Sequence, residues 1–183
     1  IGGIGKSHLA KEVDALGGIV ARATDKAGIH YRVLNATKGQ AVRATRVQTD
    51  RQLYKNAVQQ ILLNSENLTI KDASIVDFNI KNSVIKSVIT ETGEEIFGSA
   101  IILTTGTFLG GVLHTGLDQS SGGRLGEPSS DKLAKKLRSL NLKVGRLKTG
   151  TPPRLNKKTI DWSVLEPQPG DTAYIFIEKP IFN

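Results

Sequence analysis

The run from Ala100 to Gly111, AIILTTGTFLGG, places four apolar residues directly before a stretch of hydroxyls and glycines. Ala100 to Leu103 show no polar alternation. They suit a strand covered on both faces, the usual state of a parallel strand inside an α/β layer. Ligands of open α/β sheets sit where such strands end. Here that end holds Thr104, Thr105, Gly106 and Thr107, whose hydroxyls and unobstructed backbone suit phosphate or ribose contact. A buried strand leaving through an ordinary glycine turn fits the same letters, so the flanking segments must separate the two readings.

Those segments alternate between two hydrophobic periods. Lys6 to Leu16 reads as a short helix with Leu9, Val13 and Leu16 on one stripe, ended by Gly17-Gly18. A second helix is expected from about Thr49 to Leu63, with Leu53, Ala57, Val58, Ile61 and Leu62 as its apolar face and Asn64-Ser65-Glu66-Asn67 as its stop. From Leu68 the period becomes two. Val76, Phe78 and Ile80 alternate with polar neighbours, Asn82-Ser83 turns the chain, Val84 to Thr90 returns, and Thr92-Gly93 turns it again. This β-meander feeds the apolar strand at Ala100, an order common in dinucleotide-binding flavoprotein domains though not unique to them. A third helix spans Ser130 to Leu140, with Ser130 as N-cap, Asp131 in the first turn and Leu133, Leu137 and Leu140 facing inward. Leu142 to Thr149 reads as a strand, and the turn-rich sequence after Pro152-Pro153 as entry into a second domain. The class is α/β.

The 183 residues, 38% of them hydrophobic, are enough to bury a core of one domain or little more. Neither a membrane-length apolar run nor a charged-then-apolar leader is visible, which points to a cytoplasmic or matrix protein. With no cysteine there is no disulfide, thiolate metal site or cysteine nucleophile, and His8, His30 and His114 are too dispersed for a local metal motif. No methionine opens the sequence, which reads as an internal piece of a longer chain.

The net charge of +8 is segregated: from Lys132 to Lys158 there are ten basic residues and no acidic one. A second basic run sets Arg32, Lys38, Arg43, Arg46, Arg51 and Lys55 against Asp50 alone. Segregated positive charge favours a polyanion, most simply nucleic acid; a solvated basic surface accounts for it equally well.

Four glycine-rich or basic segments carry possible chemistry. IGGIGKS ends like a P-loop, but the first glycine of that motif would precede Ile1. Gly2, Gly3 and Gly5 still offer backbone amides to an anion or a flat cofactor. In KGQAVRATR, Arg43 and Arg46 project to opposite faces if extended and to one side, as a phosphate clamp, if helical. SGGRLGEPSS suits a loop wrapped around a phosphate, with Arg124 as the charge and Ser130 at the helix cap. GRLKTGTPPR repeats the theme with three cations.

Taken in order, IGGIGKSHLAKEVDALGG, KGQAVRATRVQTDR, GTFLGG, SGGRLGEPSS and GRLKTGTPPRLNKKTIDWSVLEPQPGD resemble the MnmG/GidA family, the large flavoprotein subunit of the tRNA wobble-uridine modification enzyme. The resemblance covers residues 1 to about 172 and fades beyond Ala173; Ser7 and Gln40 replace a more usual glycine and proline. It implies an FAD enzyme with NADH as reductant and methylenetetrahydrofolate as one-carbon donor. With the GTPase partner MnmE, such an enzyme builds an aminomethyl or carboxymethylaminomethyl group on carbon 5 of uridine 34 in tRNA. A homodimer without membrane attachment is implied. The family's flavin glycine loop and cysteines lie outside this chain, so its catalytic residues are unknown and the piece alone is expected to be inactive.

By the same resemblance, residues 1–154 correspond to the middle of a glutathione-reductase-type, Rossmann-like FAD domain, and 155–183 to the start of a nicotinamide-binding insertion. Gly2, Gly3, Gly5, Lys6, Ile75, Thr105, Gly106 and Ser130 would lie by the FAD. Arg124, Arg146, Lys148 and Arg154 would face tRNA or the active site, joined by Arg43 and Arg46 of the basic run. Two other readings stay open: a folate- and FAD-dependent tRNA uridine C5-methyltransferase, and a non-catalytic basic RNA-binding module.

Overall fold

Short-range side-chain hydrogen bonds fix both ends of the second helix, at its start through Asp50, which the sequence reading does not single out. In the computed structural model, which describes residues 5–124, 126–150 and 155–171, the Asp50 carboxylate accepts from Gln52 N and Leu53 N, each at 2.9 Å. Two otherwise orphaned amides are thereby satisfied at the start of a helix. That helix, α3, runs Arg51–Leu63. At its far end Asn64 Nδ2 donates to Gln60 O and Ser65 Oγ to Ile61 O. The chain divides into two compact units, one formed by described residues up to 69 together with those from 150 onward, the other by residues 70–149.

The first unit begins with α1, Gly5–Ala15, and α2, Ile19–Ala27. Strand β1, Gly28–Leu34, pairs antiparallel with β2, Ala44–Thr49, and the register slips between Gly28 and His30. The core residues are Ala23 and Ala27 of α2, Ala44 of β2 and Ala57 of α3. Small side chains at these places permit close approach of α2 to α3. On α1 the expected stripe is formed but uncovered, since Leu9 and Val13 are both exposed. Two elements here were not expected from the sequence: α2, whose apolar residues are mostly small, and β1, whose polar residues obscure its alternation. The segment 168–171 lies against β1, with Asp171 N donating to Tyr31 O at 2.8 Å and Asp171 Oδ2 accepting from Val33 N at 2.6 Å.

In the second unit the meander is realised as β3, Ile75–Lys81, β4, Val84–Thr90, and β5, Glu95–Phe97, in the order β3-β4-β5. Asn82 and Ser83 both have positive φ, at 51° and 60°. This is the two-residue hairpin geometry that matches strand twist. Phe78 is buried, and so are two polar side chains, Ser87 and Thr90, each with a partner: Ser87 Oγ donates to Glu95 Oε1, and Thr90 Oγ1 accepts from Glu94 N at 3.0 Å. A further hairpin, unforeseen in the sequence, joins β6, Val112–Thr115, to β7, Asp118–Ser121. Helix α4, Asp131–Ser139, packs on β3 through buried Leu133 and Ala134. Ser130 holds the N-cap position, but its hydroxyl makes no capping bond.

Two expected strands are not formed. Ala100 to Leu103 is unpaired and Ile102 is 85% exposed; Leu142 to Thr149 is likewise without strand structure, and Leu142, Val144 and Leu147 are exposed. A parallel strand exists only when neighbours hydrogen-bond it and both its faces are covered. Among the described residues every strand pair is antiparallel and none flanks these segments. No helix of the described residues is long and apolar enough to cross a membrane.

Candidate functional site

The two glycine loops singled out in the sequence fold against each other at the start of α4. Ser130 N donates to Phe108 O at 2.8 Å, Gly111 N to Ser129 Oγ at 2.7 Å, and Gly122 N to Gly111 O at 3.1 Å. A β-carbon at Gly111 would meet Gly122 O at 2.5 Å and Thr107 O at 2.8 Å, and one at Gly123 would enter the Phe108 ring. These glycines are needed for loop-to-loop contact. Gly106 differs: its φ is 58° and a β-carbon there would meet nothing within 4 Å. It therefore presents an open stretch of backbone beside Thr105, the kind of surface a flat ligand can approach.

The charges around these loops are more committed than their spacing suggested. Arg124 forms an ion pair with Glu127, its Nε donating to Glu127 Oε1 at 2.9 Å and its Nη2 to the same oxygen. The positive end of α4 faces Asp131, whose carboxylate accepts from Ser129 Oγ at 2.7 Å. A phosphate at SGGRLGEPSS would compete with Glu127 for Arg124 across an exposed pair of the kind worth little in water, and the Ser130 hydroxyl makes no capping bond. Arg146 Nη1 donates to Gly110 O at 3.2 Å, and Lys148 is exposed. Thus Thr105, Gly106, Arg124, Ser130 and Arg146 lie on one system of interlocked loops. Ile75 lies apart, at the start of β3 opposite Thr90.

On the same unit Asp77 of β3 meets Lys136 of α4 at 2.7 Å. The hydrogen bond from Lys136 holds the Asp77 carboxyl below its ordinary range, assisted by the Phe78 amide and opposed by partial burial. Glu95 is lowered in the same direction, first by Asn79 and then by Ser87. A groove of about 590 Å³ lined by Asn79, Lys81, Lys86, Phe97, Gly98 and Ser99 opens on this sheet. It was not anticipated, because its residues come from three separated stretches.

In the first unit Gly5 and Lys6 form the first turn of α1, and Ser7 Oγ donates to Thr45 O at 3.1 Å. The segments IGGIGKS and KGQAVRATR are therefore tied together through Ser7. Residues 44–49 are extended, so the helical clamp reading of Arg43 and Arg46 does not hold. Arg43 instead follows a short 3-10 turn, Gln40–Val42, and its Nε donates to Ala36 O at 3.1 Å. Gly2, Gly3 and Arg154 lie outside the described residues.

The sequence profile of the family described as "Glucose inhibited division protein A" matches residues 1–181. The chain belongs to the GidA family. Two crystal structures of Aquifex aeolicus GidA superpose on it, one at TM-score 0.83 and 45% identity over 93% of this chain, the other at 0.84 and 44% over 92%. The expected fold class, a partial Rossmann-like α/β domain with a meander, is accordingly that of GidA. The chain spans 28% of the length of each of those GidA chains.

Proposed function

We propose that this GidA chain is part of an FAD-dependent enzyme that modifies the wobble uridine of tRNA. The observation that carries the reading is the family match over residues 1–181, whose motifs include the loops that interlock around Gly106 and Ser130. In the reading, FAD supplies redox chemistry when bound. Gly5, Lys6, Ile75, Thr105, Gly106 and Ser130 hold it together with Gly2 and Gly3. The open backbone at Gly106 and the uncapped Ser130 hydroxyl are consistent with such a contact. Arg43, Arg46, Arg124, Arg146, Lys148 and Arg154 are assigned to tRNA, in keeping with the acid-free run from Lys132 to Lys158.

The finer reading takes NADH as reductant, methylenetetrahydrofolate as carbon donor, MnmE as GTPase partner and a homodimer in the cytoplasm or mitochondrial matrix. It places residues 1–154 in the FAD domain and 155–183 in the nicotinamide-binding insertion. Catalysis requires the full-length protein. The test is to purify that protein and to analyse tRNA nucleosides from cells lacking it. A yellow, FAD-containing protein and loss of carboxymethylaminomethyl or aminomethyl groups at uridine 34 are expected. Loss of C5-methyluridine instead would assign the methyltransferase reading, and a colourless protein with unaltered tRNA would leave only an RNA-binding module.

A further inference from the structure

Strands β1 and β2 set Arg32 directly opposite Arg46. Directly opposed residues of an antiparallel pair project from one face, where two like charges repel. His30, opposite Gln48, shares that face. Among the described residues no carboxylate lies within ion-pair distance of either guanidinium. Their partners are neutral oxygens of two consecutive residues: Arg32 Nη1 donates to Pro169 O at 3.0 Å, and Arg46 Nη2 to Gln168 Oε1 at 3.5 Å. His30 Nε2 lies 3.2 Å from Gln168 O. The nearby Asp171 carboxylate is directed to Val33 N instead. Arg46 Nε and His30 Nδ1 are shielded from solvent and have no hydrogen-bond partner among the described residues.

A shielded N–H without an acceptor is costly, and so are two opposed cations with only neutral neighbours. One group relieves both: a multiply charged oxyanion whose several oxygens match two guanidinium forks. We propose that Arg32, Arg46 and His30 form a phosphate-binding site on the β1–β2 pair, with the Gln168 side chain standing in for the anion. Gln168 moves aside when phosphate enters. A carboxylate ligand has too few oxygens to serve two forks and an imidazole. The phosphate can belong to an RNA backbone or to a free small molecule, since the same donors take either.

The full-length protein is melted in sodium chloride and in sodium phosphate at matched ionic strength. Wild type and the charge control Lys26→Gln are expected to gain about 1–2 °C in phosphate. Arg32→Gln, which removes one of two repelling charges and so folds, is expected to gain nothing. Gln168→Glu supplies an internal anion; it should melt above wild type in chloride and show no phosphate response. No response in wild type, or one retained in Arg32→Gln, overturns the site. The source is read from tRNA binding: an RNA phosphodiester predicts that Arg32→Gln lowers the salt slope by about 0.7–0.9, whereas an unaltered slope with a lost phosphate response assigns a free phosphate. This second arm rests on the tRNA reading. If that reading fails, wild type binds no tRNA, and the melting comparison still decides the phosphate site.

Discussion

Gly106 joins two separable properties, a left-handed backbone and open space, and they predict different outcomes for different substitutions. Its φ of 58° is a region that β-branched residues avoid and asparagine tolerates. In the full-length protein Gly106→Val should destabilise by about 1–2 kcal/mol and lose FAD. Gly106→Asn should melt near wild type yet retain less FAD, because only the side chain's bulk intrudes. The absorbance ratio of flavin to protein and the melting temperature read the two effects. A wild-type flavin ratio in the asparagine variant would remove Gly106 from the cofactor surface. Arg124 shows what residue spacing leaves out: its place among glycines suits a phosphate contact, but does not reveal that Glu127, three residues on, pairs with it at the surface.

Elements whose signals are local were legible, and those that depend on distant cover were not. The β3-β4 hairpin was readable because alternation and turn residues lie within one short stretch. Its turn is nevertheless imperfect, since Ser83 holds φ of 60°. Ser83→Gly should raise stability by about 0.5–1 kcal/mol by removing that strain, read as a higher denaturant midpoint with an unchanged slope; a midpoint at or below wild type would refute the turn assignment. The α4-β3 junction carries a pH dependence. Asp77's folded pKa is lowered, chiefly by the Lys136 hydrogen bond, so the pair's stabilisation is present above the unfolded value of about 3.9 and lost as pH falls through the folded value. Both side chains are about a third or more exposed, which limits the effect to about 0.5 kcal/mol. Lys136→Met should therefore be less stable than wild type at neutral pH and equal to it in strong acid. An equal gap at both extremes would make Lys136 a packing residue only. By contrast, the apolar run Ala100 to Leu103 calls for burial without specifying the partner that would provide it, and the segment stays unpaired.

For the molecule as a whole, family membership was legible because five long motifs occur in register, while the charge map was legible only in part. The acid-free run from Lys132 to Lys158 spreads over α4 and the exposed residues 141–150, but its cations are not equivalent. Arg146 holds Gly110 O, whereas Lys148 makes no hydrogen bond or ion pair with any described residue. Lys148→Gln should therefore be a purely electrostatic change, lowering tRNA affinity and flattening its salt dependence by about 0.7–0.9 per lost phosphate contact, with FAD content untouched. Arg146→Gln should also loosen Gly110, and with it the loop that bears Gly106, so flavin retention should fall along with tRNA affinity. Filter binding across a salt series, beside the flavin absorbance of the same preparations, separates the two. If Lys148→Gln leaves the slope unchanged, tRNA contacts a different basic face, and the β1–β2 pair becomes the next surface to test.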